Sequence, residues 1–196
     1  MRIAVISDIH GNCIALDAVL TDLGRDSVDW LVCLGDAIQG GPQPAEVVAR
    51  LRDLGCPVVM GNADAWLLSG EETGSESFSA ERLAKLNEVR TWSLAQLPAE
   101  DRAFIAGFQV TVEIPLSPDR NLICFHGSPA SFDDIILPTT PEEEFQRLLG
   151  AYAPHVLTGG HTHLQQHCRL GSGESFFFNP GSVGLVYIRF CGYGPP

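Results

Sequence analysis

Met1-Arg2-Ile3-Ala4-Val5-Ile6-Ser7-Asp8-Ile9-His10 opens the chain, and its reading decides the fold. Ile3–Ile6 is a short unbroken apolar run that ends on polar residues, the pattern of a buried strand. Around Ala15–Asp22, Leu16, Val19, Leu20 and Leu23 recur at helical spacing, and Asp29–Leu34 is a second apolar strand. Pro44 starts a helix through Glu46–Leu51 that Gly55 and Pro57 end, and Pro57–Met60 reads as a short strand. Strands alternating with helices of this length predict a mostly parallel sheet covered on both faces.

The second half continues the layering. A polar, Gly/Ser-rich loop over 71–79 leads into a helix from Ala80 to Leu97, stopped by Pro98, and a shorter helix over Glu100–Ala106. Shorter strands follow at Gln109–Ile114, Asn121–Phe125, His155–Leu157, Leu164–Leu170 and Ser175–Phe178, with a helix around Pro141–Leu149 between them. No repeat and no coiled-coil pattern interrupts this order. At 196 residues, one domain over residues 1–196 is expected.

Composition narrows the class. The 45% apolar content fits a globular protein, and no apolar run approaches the ~20 residues of a membrane span. The strand that starts at the second residue leaves no room for a signal peptide, so a cytoplasmic protein is expected. A net charge of −12 argues against general affinity for nucleic acid or anionic membranes. Bound cations would reverse the field locally, so an anionic substrate stays compatible. The six cysteines are scattered without a C-x-x-C pair and read as free thiols packed as small hydrophobes.

Chemistry is concentrated at the strand ends. Asp8-Ile9-His10, Gly35-Asp36, Gly61-Asn62, His126-Gly127 and Gly160-His161-Thr162-His163 each follow an apolar stretch. In open α/β sheets, ligands bind beyond the carboxyl ends of strands. Asp8 with His10, and His161 with His163, are each two residues apart and able to face one ion together. Any one of these motifs is weak, since an Asp after a strand is often a helix cap. Five in one chain point to a metal site.

These motifs resemble, in their order, those of the calcineurin-like metallophosphoesterase superfamily: D-x-H, G-D, G-N-H-D/E, H and G-H-x-H. Ile6-Ser7-Asp8-Ile9-His10-Gly11-Asn12, Gly41-Pro42-Gln43-Pro44, His126-Gly127-Ser128-Pro129 and Asn179-Pro180-Gly181-Ser182-Val183-Gly184 are similar to its small bacterial and archaeal phosphodiesterase-like branch. The fold expected is a layered α/β/β/α sandwich with two central mixed sheets flanked by helices. The resemblance implies one divalent ion held by Asp8, His10, Asp36 and His163 and a second held by Asp36, Asn62, His126 and His161, with Asp36 bridging. Mn²⁺ leads, with Fe²⁺, Ni²⁺ or Zn²⁺ as alternatives, because the mixed Asp/Asn/His ligands suit such ions. Asp36, Asn62 and His126 are the catalytic candidates, and Asn12 and Asp64 the candidate substrate contacts. Asp64 could instead cap a helix beginning at Ala65.

The activity implied is hydrolysis of a small phosphodiester or activated phosphoester by a metal-bridging hydroxide. A nucleotide or phosphoprotein phosphatase is the alternative enzyme, and a non-catalytic metal-binding scaffold the alternative of another class. Oligomeric state is not readable. Three departures from the family pattern stand out. Ala63 occupies the place of the histidine that assists the leaving group, and His155 and His167 are the unassigned histidines. Gln39-Gly40-Gly41-Pro42 lacks the aromatic of G-Y-G-P, which could wall the pocket. After about residue 184 the tail is atypical: either Val186–Phe190 is a shortened strand or the tail is altered or truncated.

Overall fold

The computed structural model describes residues 1–71, 79–152, 155–169 and 175–185. The expected tail strand and most of the expected 71–79 loop lie outside the described residues, as does Leu170. The elements run β1 (Ile3–Ile6), α1 (Cys13–Leu23), β2 (Trp30–Cys33), α2 (Pro44–Leu54), α3 (Asn62–Ser69), α4 (Ala80–Gln96), α5 (Ala99–Ala106), β3 (Val112–Ser117), β4 (Arg120–Cys124), α6 (Glu142–Leu149), β5 (Val156–Thr158), β6 (Gln166–Arg169) and β7 (Phe176–Asn179).

Two sheets form. β1 and β2 pair in parallel, extended by parallel bridges Cys33–Val58 and Val59–Gln109. The second sheet has the order β3-β4-β5-β7-β6 and is mixed: β4, β5 and β7 run parallel, and β3 and β6 are antiparallel edges. The first sheet is parallel throughout among the described residues. Strand alternation explains the layering. Ile3, Val5, Val32 and Leu34 meet Ile114, Leu122, Cys124 and Val156 between the sheets. On the outer face of the first sheet, Ile6 and Cys33 pack with Leu16, Val47, Leu51 and Ile105 of the helices. On that of the second, Phe125, Leu157 and Phe177 pack with Phe145 and Leu149 of α6. Three apolar layers therefore separate four layers of structure, the expected sandwich.

Two expected elements differ. Pro57–Met60 is reduced to the bridge residues Val58 and Val59. The strand expected over Gln109–Ile114 is divided between the sheets. The Gln109 N–H donates to the Val58 carbonyl and its carbonyl accepts from Met60 at the edge of the first sheet. Pairing in the second sheet begins only at Val112 and runs on through Pro115 to Ser117 with a register shift. Proline is tolerated there because β3 is an edge strand. The cysteines found among the described residues, Cys13, Cys33, Cys56, Cys124 and Cys168, are free. No helix among them is long and apolar enough to cross a membrane.

Candidate metal centre

The carboxyl ends of β1, β2 and the Val58–Val59 segment lie at one rim with those of β4 and β5. The loops that follow are tied to one another. The Asp8 N–H donates to the Gly35 carbonyl at 3.0 Å, His10 N–H to Asp36 carbonyl at 2.8 Å, and Gly160 N–H to His126 carbonyl at 2.8 Å. Ala63 N–H donates to Asp36 Oδ1 at 2.8 Å, and His161 N–H to Asp8 Oδ2 at 3.2 Å. Five loops from two sheets are thus tied into one hydrogen-bonded network. All seven side chains singled out as ligands meet on it.

They fall into two groups whose ligand-type atoms lie within 4.8 Å of one another: Asp8, His10 and His163, then Asp36, His126 and His161. Asn62, the first residue of α3, joins the second group through its Oδ1, 3.0 Å from His126 Nε2. Asp36 lies between the groups. Its Oδ2 is 3.7 Å from His10 Nε2 on one side and 3.4 Å from His126 Nε2 on the other.

The donor set fits cations. His10, His126 and His163 each place Nδ1 against a backbone carbonyl, of Gln39, Leu34 and Leu185, at 2.7–2.8 Å. A carbonyl only accepts, so each Nδ1 donates to it and Nε2 is the ring atom turned into the site. Asp8 Oδ1 and His161 Nδ1 are buried and make no hydrogen bond among the described residues. Orphaned buried polar atoms are costly, and a bound cation satisfies both.

Electrostatics is equally strained without one. Burial alone would raise the Asp36 carboxyl, yet the charge and hydrogen bond of His126 hold it well below the usual carboxylate range. His126 is pushed up to about 9, with burial opposing and the Asp36 charge prevailing. Burial and the His126 charge lower His161. Burial also works against a charge on His163, but the Asp8 carboxylate, with Oδ1 3.2 Å from its Nε2, raises it.

Backbone strain converges on the same residues. Asp8, His10, Asp36, His161 and His163 are the non-glycine residues with positive φ, from 48° to 67°, among those described. Each such conformation costs roughly 1–3 kcal/mol and persists only where its surroundings enforce it. Close approach of the loops does the enforcing. A Cβ at Gly61 would run into the Asp36 main chain and carboxylate, and one at Gly160 into Ser7 Oγ.

Two expected substrate contacts have structural tasks. Asn12 caps α1, its Oδ1 accepting from Ala15 N–H at 3.0 Å while Nδ2 donates to the Gly184 carbonyl. Asp64 is fully buried in the first turn of α3, which begins at Asn62 and not at Ala65. Its oxygens accept from the N–H groups of Ala37, Ile38 and Gly61, which ties the Asp36 loop to the Asn62 loop. Burial and the Asp36 charge push its carboxyl up to about 7. A carboxylate so enclosed orients the rim. His155 accepts from Asn121 N–H at the start of β5, the end away from the rim, and His167 is exposed on β6.

The motif reading missed the supports behind the ligands. Ser7 Oγ donates to Asp8 Oδ2 at 2.5 Å. Asn179 Nδ2 donates to the Gly160 carbonyl at 2.7 Å, and Asn179 Oδ1 accepts from Gly181 N–H. Ser182 Oγ and Gly184 N–H both donate to the Asp8 carbonyl. The stretch Asn179–Ser182 was visible in the sequence, but its role depends on which loop it meets.

The sequence pattern of the calcineurin-like phosphoesterase family matches residues 1–174, and the chain belongs to that family. Its members are phosphoester hydrolases that use divalent metals. The chain is 28% identical over 198 residues to the uncharacterized protein MJ0912 of Methanocaldococcus jannaschii, covering 93% of this chain and 76% of that one. It is 28% identical over 195 residues to phosphodiesterase YfcE of Escherichia coli, covering 94% and 80%. Among solved structures, a metallophosphoesterase from Sphaerobacter thermophilus superposes with a TM-score of 0.70 at 26% identity, covering 95% of this chain and 78% of that one.

Strain and an orphaned ring nitrogen make His161 a residue that costs stability. His161→Gly relieves both, at a cost of about 0.5–1 kcal/mol for the added chain entropy. The metal-free variant should gain about 1 kcal/mol in urea unfolding while Mn²⁺ affinity falls. A loss of metal-free stability would contradict the strain account.

Proposed function

We propose that this protein is a two-metal phosphodiesterase, with Asp36 shared between the ions. The observation that carries this reading is the position of Asp36 Oδ2 between His10 Nε2 and His126 Nε2, with one ligand group on either side. Asp8, His10 and His163 would hold one ion with Asp36; Asn62, His126 and His161 would hold the other. Mn²⁺ is the proposed ion, on the chemistry of the mixed ligands. When bound, two such ions supply Lewis-acid charge for a phosphoryl group and lower the pKa of water.

The protein's own residues position the rest. Ring hydrogen bonds to Gln39, Leu34 and Leu185 fix three imidazoles before any substrate arrives, and Asp64 and Asn179 brace the loops that carry them. Phosphoryl transfer needs little more than such positioning and charge. A small phosphorylated substrate suits a chain of net charge −12, whose favourable field for an anion is confined to the metals. The expected cytoplasmic location belongs to the same proposal. The phosphodiesterase named among the relatives, at 28% identity, supports the diester over the monoester.

The leaving group gets no proton from position 63. Ala63 contributes a backbone N–H to Asp36 and no acid, and neither His155 nor His167 lies on the rim. General acid help is worth ~10²–10⁴ in rate. Leaving groups that depart unprotonated, such as aryl oxides, are therefore favoured over alkyl oxides.

Hydrolysis of bis-p-nitrophenyl phosphate should require Mn²⁺ and should be lost in Asp36→Ala. Equal, negligible rates for the native protein and the variant would favour a metal-binding scaffold. Ala63→His should narrow the ratio of rates on aryl and alkyl esters by at least about tenfold. An unchanged ratio would remove the missing acid as its cause.

A further inference from the structure

One cleft, of about 630 Å³, runs past Ile3, Val5, Leu122, Val156 and Phe178, and none of the seven ligands lines it. A second cleft, of about 470 Å³, is smaller but better placed. It is formed by Gly40, Gly41 and Pro42 from the loop after β2 and by Glu88, Val89 and Trp92 from α4. This loop is the one that holds His10. The Gln39 carbonyl accepts from His10 Nδ1 at 2.8 Å, and a Cβ on Gly40 would lie 3.6 Å from that nitrogen. The cleft therefore begins on the far side of the His10 ring from the Nε2 that faces Asp8 and Asp36. Asp36 at the rim and Gly40, Gly41 and Pro42 in the cleft thus stand on the one loop after β2.

Its chemistry is specific. Val89 and Trp92 lie one helical turn apart on one face of α4, and they remain 39% and 44% exposed although α4 packs on α2 and α3. With Pro42 they make an apolar floor and wall, and Trp92 adds an aromatic face. The loop sequence Gln39-Gly40-Gly41-Pro42 carries no aromatic of its own, so α4 brings one to the same place from some fifty residues further along the chain. Two glycines in the loop leave the wall opposite Trp92 thin. Glu88 puts a carboxylate on the border, which repels a second anionic group and tolerates hydrogen-bond donors.

We infer that this cleft is the subsite for an uncharged aromatic substituent of the phosphoester, an aryl group or a nucleobase, with Trp92 as the specificity-determining residue that stacks on it. The inference rests on the phosphodiesterase reading for its substrate and on the geometry for its place. Stacking of a base on an aromatic side chain is worth about tenfold or more in binding by alanine substitution. An aromatic substituent is also apolar enough to leave water for Val89 and Pro42.

The test compares phenyl p-nitrophenyl phosphate with methyl p-nitrophenyl phosphate in the Mn²⁺-loaded protein, since the two share a leaving group and differ only in the substituent. The native protein should prefer the phenyl ester in kcat/KM, mainly through KM. Trp92→Ala should cut that preference about tenfold, and Trp92→Phe should keep most of it. Calorimetric binding of phenylphosphonate against methylphosphonate supplies a readout independent of turnover, and the same pattern of preference and loss is expected there. If neither ester is hydrolysed but phenylphosphonate still binds better and loses that advantage in Trp92→Ala, the phosphodiesterase reading fails and the subsite stands. If Trp92→Ala leaves the phenyl-to-methyl ratio unchanged, the subsite is overturned whatever the activity. Trp92 is nearly half exposed, so its truncation leaves the core intact.

Discussion

Everything at the rim is arranged around one buried carboxylate. Asp36 is only 3% exposed, and its two oxygens face different ways: Oδ1 takes the Ala63 N–H, and Oδ2 lies between His10 and His126. A charge that deep is tolerated only with compensation from hydrogen bonds and opposite charge. In the metal-free protein a proton on His126 supplies that charge. It is a partial remedy, because Asp8 Oδ1 and His161 Nδ1 remain without hydrogen bonds. The unmet demand at the rim is for positive charge, on both sides of Asp36.

Holding such a cluster together costs conformational energy, and the fold supplies it from outside the cluster. Five ligand residues sit in the left-handed backbone region, which no local preference of aspartate or histidine would sustain together. The loops are instead clamped by cross-loop hydrogen bonds, by Asp64 under the Asp36 turn and by Asn179 under the Gly160 turn. Three apolar layers keep the two sheets aligned so that the loops meet. Stability spent on strain at the rim is thus drawn from packing between and outside the sheets.

Much of this could be read from the sequence because it depends on local pattern. Short apolar runs ending on Asp, His or Asn located the strand ends, and the parallel topology then brings those ends to one rim. What could not be read depends on tertiary contact. Asn12 and Asp64 look like substrate contacts beside a metal motif, but one caps a helix and the other accepts three buried N–H groups. Gln109 continues an apolar pattern toward Val112, yet the chain changes sheets between them. Trp92 lies on a helix whose spacing shows only ordinary amphipathicity, and nothing local to it points to the loop after β2. The absence at Ala63 was legible, whereas the aromatic that replaces the one missing from Gln39–Pro42 was not.

The most direct test of the central claim is anomalous diffraction from crystals of the protein loaded with Mn²⁺. Two peaks per chain are expected, one beside Asp8, His10 and His163 and one beside Asn62, His126 and His161, each within bonding distance of Asp36. A single peak, or two that do not share Asp36, would contradict the account.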